Sequence, residues 1–296
     1  MKVVTRKFQH AGRDAYMDLW PLGDVHIGHR GADEKAFSRT VARIKDDPNA
    51  YWVGMGDHID AVGLKDPRFS AGELADWVRP VHLKDLVSAQ RDRFLELTAP
   101  IHDKCLAVLY GNHERTIHKY NERHVHSEIL AAIKPKTPWA SESMDLGYTG
   151  FLLLRYSRTA DGSPGASRTV RVWLHHGAGG GRLKGAKALG LQRIAWSFDC
   201  DLAIHGHVHD EVIEPVNRVG VTHAGKITNH RTMAFVSGAW MRAWHEDGAA
   251  YSEQALYFPG SVGTPHCRIR PWIQERGPDG VTLEGMQCRD AIQVLS

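Results

Sequence analysis

The chain has 296 residues, 42% hydrophobic and 24% charged, which is enough to bury a full core as one large domain or two small ones. Its net charge of +3, with histidines neutral, is too mild to mark a nucleic-acid binder by itself. No stretch approaches the roughly 18 consecutive apolar residues of a membrane span, and the first residues lack the apolar core of a signal peptide. Cys105, Cys200, Cys267 and Cys288 form no Cys-x-x-Cys pair. The expectation is a cytoplasmic protein with free thiols.

In chain order, apolar runs predict strands over Ala15–Pro21, Ala50–Met55, Lys104–Tyr110, Phe151–Tyr156, Val170–His175 and Asp201–Ile204. Helical patterns lie between several of them, over Asp33–Lys45, Lys84–Thr98, Arg123–Ile133 and Lys187–Phe198. Such alternation implies a layered α/β fold. After His209 the texture changes to short strand-like runs, Val212–Val216, Thr232–Val236, Ala255–Phe258 and His266–Ile269. These predict a second, largely antiparallel sheet packed on the first. Thr159–Ser167 reads as a hairpin loop. With no clean linker, residues 1–296 are expected to form one domain, the segment 277–296 being a loosely held tail.

Five of the apolar runs end in metal-capable side chains, usually beside a glycine. They lead into Asp24-Val-His26, Gly56-Asp57-His58-Ile-Asp60, Gly111-Asn112-His113-Glu114, His175-His176-Gly177 and His205-Gly206-His207-Val208-His209. Each has a bland reading alone: an Asx turn, a tight turn, a helix cap. In open α/β sheets, however, the carboxyl ends of strands form the crevice where ligands bind. One fold could therefore gather all five. The mixture also suits cations: carboxylates neutralise dications, while imidazoles and an amide oxygen complete the shells without excess charge. Either His175 or His176 can serve at the fourth position.

In type and order these blocks resemble the calcineurin-like metallophosphoesterase superfamily, with its Asp-x-His, Gly-Asp-x-x-Asp, Gly-Asn-His-Glu/Asp, His and Gly-His-x-His blocks. The resemblance covers residues 24–209. It implies a four-layer α/β/β/α sandwich of two mixed β-sheets flanked by helices. It also implies two divalent metal ions, one held by Asp24, His26, Asp57 and His209, the other by Asp57, Asn112, His176 and His207. Asp57 would then bridge them, and His113 would act on the substrate as proton donor or transition-state contact. The family's fourth block sets its histidine directly before glycine, which favours His176 over His175. Asp60 is expected to orient a ligand or cap a helix rather than bind metal directly. The oxygen and nitrogen ligands suit Mn, Fe or Zn, with Mn the first expectation.

Two other signals fail. His113 and His118 are five apart, so they cannot share a helix face as a zinc-protease pair must. The glycine-rich run Gly177–Gly185 lacks the Gly-Lys-Ser/Thr ending of a phosphate loop. Between Arg155 and Arg193 lie eight Lys or Arg and one acid, Asp161. That run reads either as a solvated face or as a rim drawing an anionic substrate to the metals. The function expected is metal-dependent hydrolysis of a phosphoester. A phosphodiester of nucleic acid or nucleotide is the first choice; a phosphomonoesterase, including a protein phosphatase, is the alternative. A non-catalytic binding scaffold is the reading from another class.

Overall fold

The computed structural model describes residues 1–10, 12, 14–63, 66, 69–158, 167–179, 181, 183–242, 260–272, 274–276, 282–284 and 292–295. Near-continuous apolar runs form β2 (Met17–Leu22), β3 (Ala50–Gly54) and β4 (Cys105–Leu109), three parallel neighbours. Such runs suit strands covered on both faces. The short β5 (Asp145–Gly147) joins β4 in parallel. On the other side β11 (His266–Ile269) pairs antiparallel with β2, and β14 (Ile292–Leu295) with β11, while β12 (Gln274–Arg276) and β13 (Thr282–Glu284) pair with each other.

The second sheet runs β1 (Lys2–Gln9), β6 (Thr149–Ser157), β7 (Ser167–His175), β8 (Leu202–His205), β10 (Ile227–Val236) and β9 (Ile213–Val221). It is mixed: β7 and β8 are parallel, whereas β6–β7 and β9–β10 are antiparallel pairs. Three apolar clusters define the layers. Leu19, Val53 and Ala107 meet Leu152, Leu174 and Ile204 between the sheets. Phe37, Val41 and Ile44 of α1 (Glu34–Asp46), Phe94 of α2 (Leu86–Thr98) and Ile129 of α4 (Val125–Ile133) cover the outer face of the first sheet. Leu191 and Ala195 of α5 (Lys184–Ser197) cover Trp173 and Ala203 of the second. The architecture is thus α/β/β/α.

Local chemistry accounts for the helix that frames the site. Asp33 caps α1 by accepting from the Ala36 N–H at 2.9 Å, and Phe37, Val41 and Ile44 recur at helical spacing on its buried face. Among the described residues no helix is long and apolar enough to cross a membrane. Cys105, Cys200 and Cys267 are buried free thiols.

The C-terminal strands do not build a sheet of their own. β10 pairs in parallel with β8, Met233 opposite Leu202, while β11 joins β2. Apolar alternation makes a strand but does not say which open edge it will pair with. The expected strand Ala255–Phe258 lies outside the described residues. The expected tail ends in a strand, β14, whose Val294 packs on the inter-sheet core. Several elements were not anticipated. Among them are β1, an edge strand, the short β5, β14, and α3 (Asn112–Asn121), which starts inside the third block.

Candidate metal centre

β2, β3 and β4 run parallel, so the loops holding Asp24 and His26, Asp57, and Asn112 leave one edge of the first sheet. β7 and β8 place His176, His207 and His209 at the edge of the second. The loops are laced together by backbone hydrogen bonds: Asp24 N to Gly56 O at 3.0 Å, His26 N to Asp57 O at 3.1 Å, and Gly206 N to His175 O at 3.1 Å. Gly111 permits the closest approach. A Cβ there would lie 2.1 Å from Asp57 N and 2.2 Å from Asp57 Oδ1.

The backbone itself is unusual at these positions. Seven non-glycine described residues have positive φ, and five of them are Asp24 (51°), His26 (51°), Asp57 (49°), His207 (71°) and His209 (45°). Left-handed backbone at a non-glycine residue costs of order 1–3 kcal/mol and persists where the surroundings over-determine it. Here it turns successive side chains into one space.

Three groups of possible ligands result, the ligand atoms within each lying within 4.8 Å of one another. Asp24, His26 and His209 form one, Asp24, Asp57, His176 and His207 the second, and His26, Asp60 and His113 the third. Asn112 joins the second, its Oδ1 2.8 Å from His176 Nε2, which is 3.3 Å from Asp57 Oδ2. In the first, His26 Nε2 and His209 Nε2 are 3.2 Å apart, and His209 Nε2 is 3.3 Å from Asp24 Oδ1. Every expected ligand is therefore at this edge, with one difference. Asp24 stands in both ligand groups and Asp57 in one, whereas Asp57 was expected to be shared.

The donor set fits divalent cations. His176 Nδ1 donates to Met55 O at 2.8 Å, so in the neutral ring the Nε2 lone pair faces the oxygens of Asn112 and Asp57. Three acceptors converging there call for a positive charge between them. Burial opposes charge on His176, yet without an ion the hydrogen bond and charge of Asp57 raise its pKa to about 10, so a proton on Nε2 holds the place that a cation would take. Burial also opposes the Asp57 carboxylate, but His113 and His176 hold it well below the usual range. His26, fully desolvated, is pushed down, so its ring stays neutral as a ligand requires. Asp24 Oδ1 and His26 Nδ1 are buried without hydrogen-bond partners among the described residues. An uncompensated buried carboxylate oxygen is costly, and a cation removes that cost.

His113 sits at the first turn of α3, its N–H donating to Asp57 Oδ1 at 2.9 Å. Its Nδ1 is 2.5 Å from Asp60 O and 3.8 Å from Asp60 Oδ1. Asp60 thus orients His113. Sequence reasoning missed the part played by Glu114, which is fully buried. It accepts from Asp57 N at 3.1 Å, His58 N at 2.8 Å and Gly111 N at 3.1 Å, and faces His58 Nδ1 at 3.3 Å. One carboxylate therefore ties the Asp57 loop to the Asn112 loop, two of the three that leave this edge of the first sheet. The glutamate three residues after a strand-ending glycine was the available signal, since a glutamate at that helix position can reach back to the N–H of the capping residue.

His176, not His175, stands against Asp57 and Asn112. The ring of His175 stacks instead on Trp173 and on His205, at 5.5 Å and 5.4 Å between centroids, beside α5. Of the two readings of the basic run, a solvated face or a rim, the first fits its β6–β7 part. Arg155 lies opposite Thr169, six residues before His175 and roughly 20 Å away along the strand. Arg168 and Arg171 belong to the same far half of β7, and Arg171 pairs with Asp201 at 3.0 Å. Lys187 is near the site, but it binds Val208 O at 3.3 Å and Asp210 at 2.9 Å, steadying the His207–His209 loop. Arg182 lies outside the described residues.

No family model and no curated protein matches the chain. Among solved structures, Vps29 of Chaetomium thermophilum aligns over 94% of this chain and 95% of its own at 11% identity, with a TM-score of 0.35. A conserved uncharacterized protein of Streptococcus pneumoniae, described as a predicted phosphoesterase, aligns over 86% and 83% at 11% identity, with a TM-score of 0.28. A metallophosphoesterase of Sphaerobacter thermophilus aligns over 95% and 89% at 12% identity, with a TM-score of 0.30. What carries weight is internal to the chain: five blocks in order, brought to one edge between two mixed sheets. In fold and in the order of those blocks, the chain resembles the calcineurin-like metallophosphoesterases.

Proposed function

We propose that the chain is a dinuclear metal-dependent phosphodiesterase acting on nucleotides or nucleic acid. The observation that carries this reading is the convergence of Asp24, His26, Asp57, His176, His207 and His209 into adjoining ligand groups, with Asn112 beside them. Asp24, His26 and His209 would hold one ion, and Asp57, Asn112, His176 and His207 the other, with Asp24 contributing to both. When bound, such ions stabilise charge on the phosphoryl oxygens and acidify an attacking water, and Mn is the expected metal.

The protein's own part is orientation and proton transfer. Glu114 holds Asp57 through its backbone, and Lys187 holds the loop of His207 and His209. His113 has Nδ1 on the Asp60 carbonyl, which leaves Nε2 to protonate the departing oxygen or bind the transition state. The preference for a diester rests on charge. A monoester dianion recruits further Arg or Lys, and the arginines of β6 and β7 lie at the far edge. Arg115 directly follows the third block.

The test is turnover by Mn-loaded protein of bis(p-nitrophenyl) phosphate against p-nitrophenyl phosphate. The expected result is a higher kcat/KM for the diester. Preference for the monoester would move the assignment to a phosphatase, and no hydrolysis of either would overturn it.

A further inference from the structure

One group of side chains beside the metal centre has no part in holding ligands. Tyr148 occupies the turn between β5 and β6, and its carbonyl accepts from His176 N at 3.1 Å. Tyr110 immediately precedes the Gly111-Asn112 block and donates its N–H to Gly147 O at 2.8 Å. The two rings meet edge to face at 5.0 Å. Arg115, one helical turn after Asn112 and on the same side of α3, lays its guanidinium over the Tyr148 ring at 5.6 Å.

Two features make this more than packing. Tyr148 remains 39% exposed, although its backbone is pinned to a ligand-bearing residue. Arg115 is exposed and makes no ion pair among the described residues, its partner being the tyrosine ring. A ring and the planar cation over it, both reaching solvent, offer a stacking surface for another planar group. The adjoining ligands Asn112 and His176 fix where the phosphate would lie.

We propose that Tyr148 and Arg115, backed by Tyr110, form a shelf that stacks a planar ring carried by the substrate, a nucleobase being the group expected. This rests on the phosphodiesterase reading and deepens it by naming which part of the substrate is recognised and where. Stacking of a base on one aromatic side chain changes affinity about tenfold or more, so the shelf sets specificity and leaves the bond-breaking step to the metal centre.

The experiment compares two diesters with the same leaving group, thymidine 5′-p-nitrophenyl phosphate and methyl p-nitrophenyl phosphate, on Mn-loaded full-length protein. The ratio of their kcat/KM values is expected to fall about tenfold in Tyr148→Ala, to fall in Arg115→Ala, and to persist in Tyr148→Phe, which keeps the ring. Saturation-transfer NMR with thymidine 5′-monophosphate supplies a readout apart from turnover. Saturation of the base protons should vanish in Tyr148→Ala and persist in Tyr148→Phe. An unchanged ratio in both alanine variants, or base-proton saturation indifferent to Tyr148, would overturn the shelf. If neither ester is hydrolysed yet base-proton saturation depends on Tyr148, the shelf stands and the phosphodiesterase reading falls.

Discussion

His207 donates its backbone N–H to Asp24 Oδ2 at 2.8 Å, across a separation of 183 residues. The first and the last ligand blocks are thereby joined directly, one from each sheet. The same Asp24 carboxylate belongs to both ligand groups. It is a structural tie, and in the proposed two-ion site it would also be the shared ligand.

Substitutions at Asp24 separate these two roles. Asp24→Asn keeps an acceptor for His207 N–H and tolerates the left-handed backbone, whereas Asp24→Ala does neither. Both variants are expected to weaken metal uptake at least tenfold, measured by mass spectrometry of metal content. Only Asp24→Ala should also lower the thermal midpoint, by an amount corresponding to about 1–3 kcal/mol. Normal metal content in Asp24→Ala would remove it from the ligand set.

His113 is oriented by Asp60 and stands outside the two groups assigned to the ions. His113→Asn should therefore keep the metal content and lower kcat by roughly 10²–10⁴-fold if the ring acts as general acid. An unchanged rate on a substrate with a poor leaving group would exclude it.

Arg6 tests the sandwich rather than the site. Its side chain is buried in β1 and donates to Leu106 O at 2.9 Å, Thr5 O at 3.0 Å and Ser143 O at 2.7 Å, tying β1 to the first sheet. Arg6→Ala leaves those carbonyls unsatisfied beside a cavity, and should cost about 3 kcal/mol in urea unfolding. The metal content of the folded fraction should not change. A loss below about 0.5 kcal/mol would show the tie to be dispensable.

The ligand blocks were legible because each apolar run stops at a glycine and a metal-capable side chain, a pattern set by local backbone needs. Their gathering followed from parallel strands. β1 was not legible because its inward positions include Arg6, a charge where apolar alternation demands a hydrophobe. α3 carries few apolar residues, Ile117 among them, and so lacks a clear helical stripe. Which reading of the basic run would hold was not legible, for a different reason. Adjacency in sequence spreads residues along a whole hairpin, and Arg155 and His175 end up at opposite ends of it.

Acid stability should depend on Asp145. His126 Nε2 at 3.2 Å, Lys2 Nζ at 2.5 Å and the Gly147 N–H at 2.8 Å surround its carboxylate. The His126 hydrogen bond, then the Lys2 and Gly147 bonds, overcome burial and hold its pKa well below the usual range. The unfolded chain therefore takes up this proton first. The stabilisation is fully present above the ordinary carboxylate pKa of about 4, and is lost as pH falls toward the folded value. Asp145→Asn should lower stability at neutral pH and flatten the fall below about pH 4 in denaturant titrations. A wild-type slope in the variant would assign that acid sensitivity elsewhere.

The proposed pair of ions at this edge of the sandwich should be visible by anomalous diffraction from crystals of the chain grown with Mn. Two anomalous peaks are expected, one among Asp24, His26 and His209, the other among Asp57, Asn112, His176 and His207. Their separation should be roughly 3.5–4 Å, as a two-ion clamp on one phosphate requires. A site without peaks, or Mn bound only elsewhere, such as at His175 and His205, would contradict it.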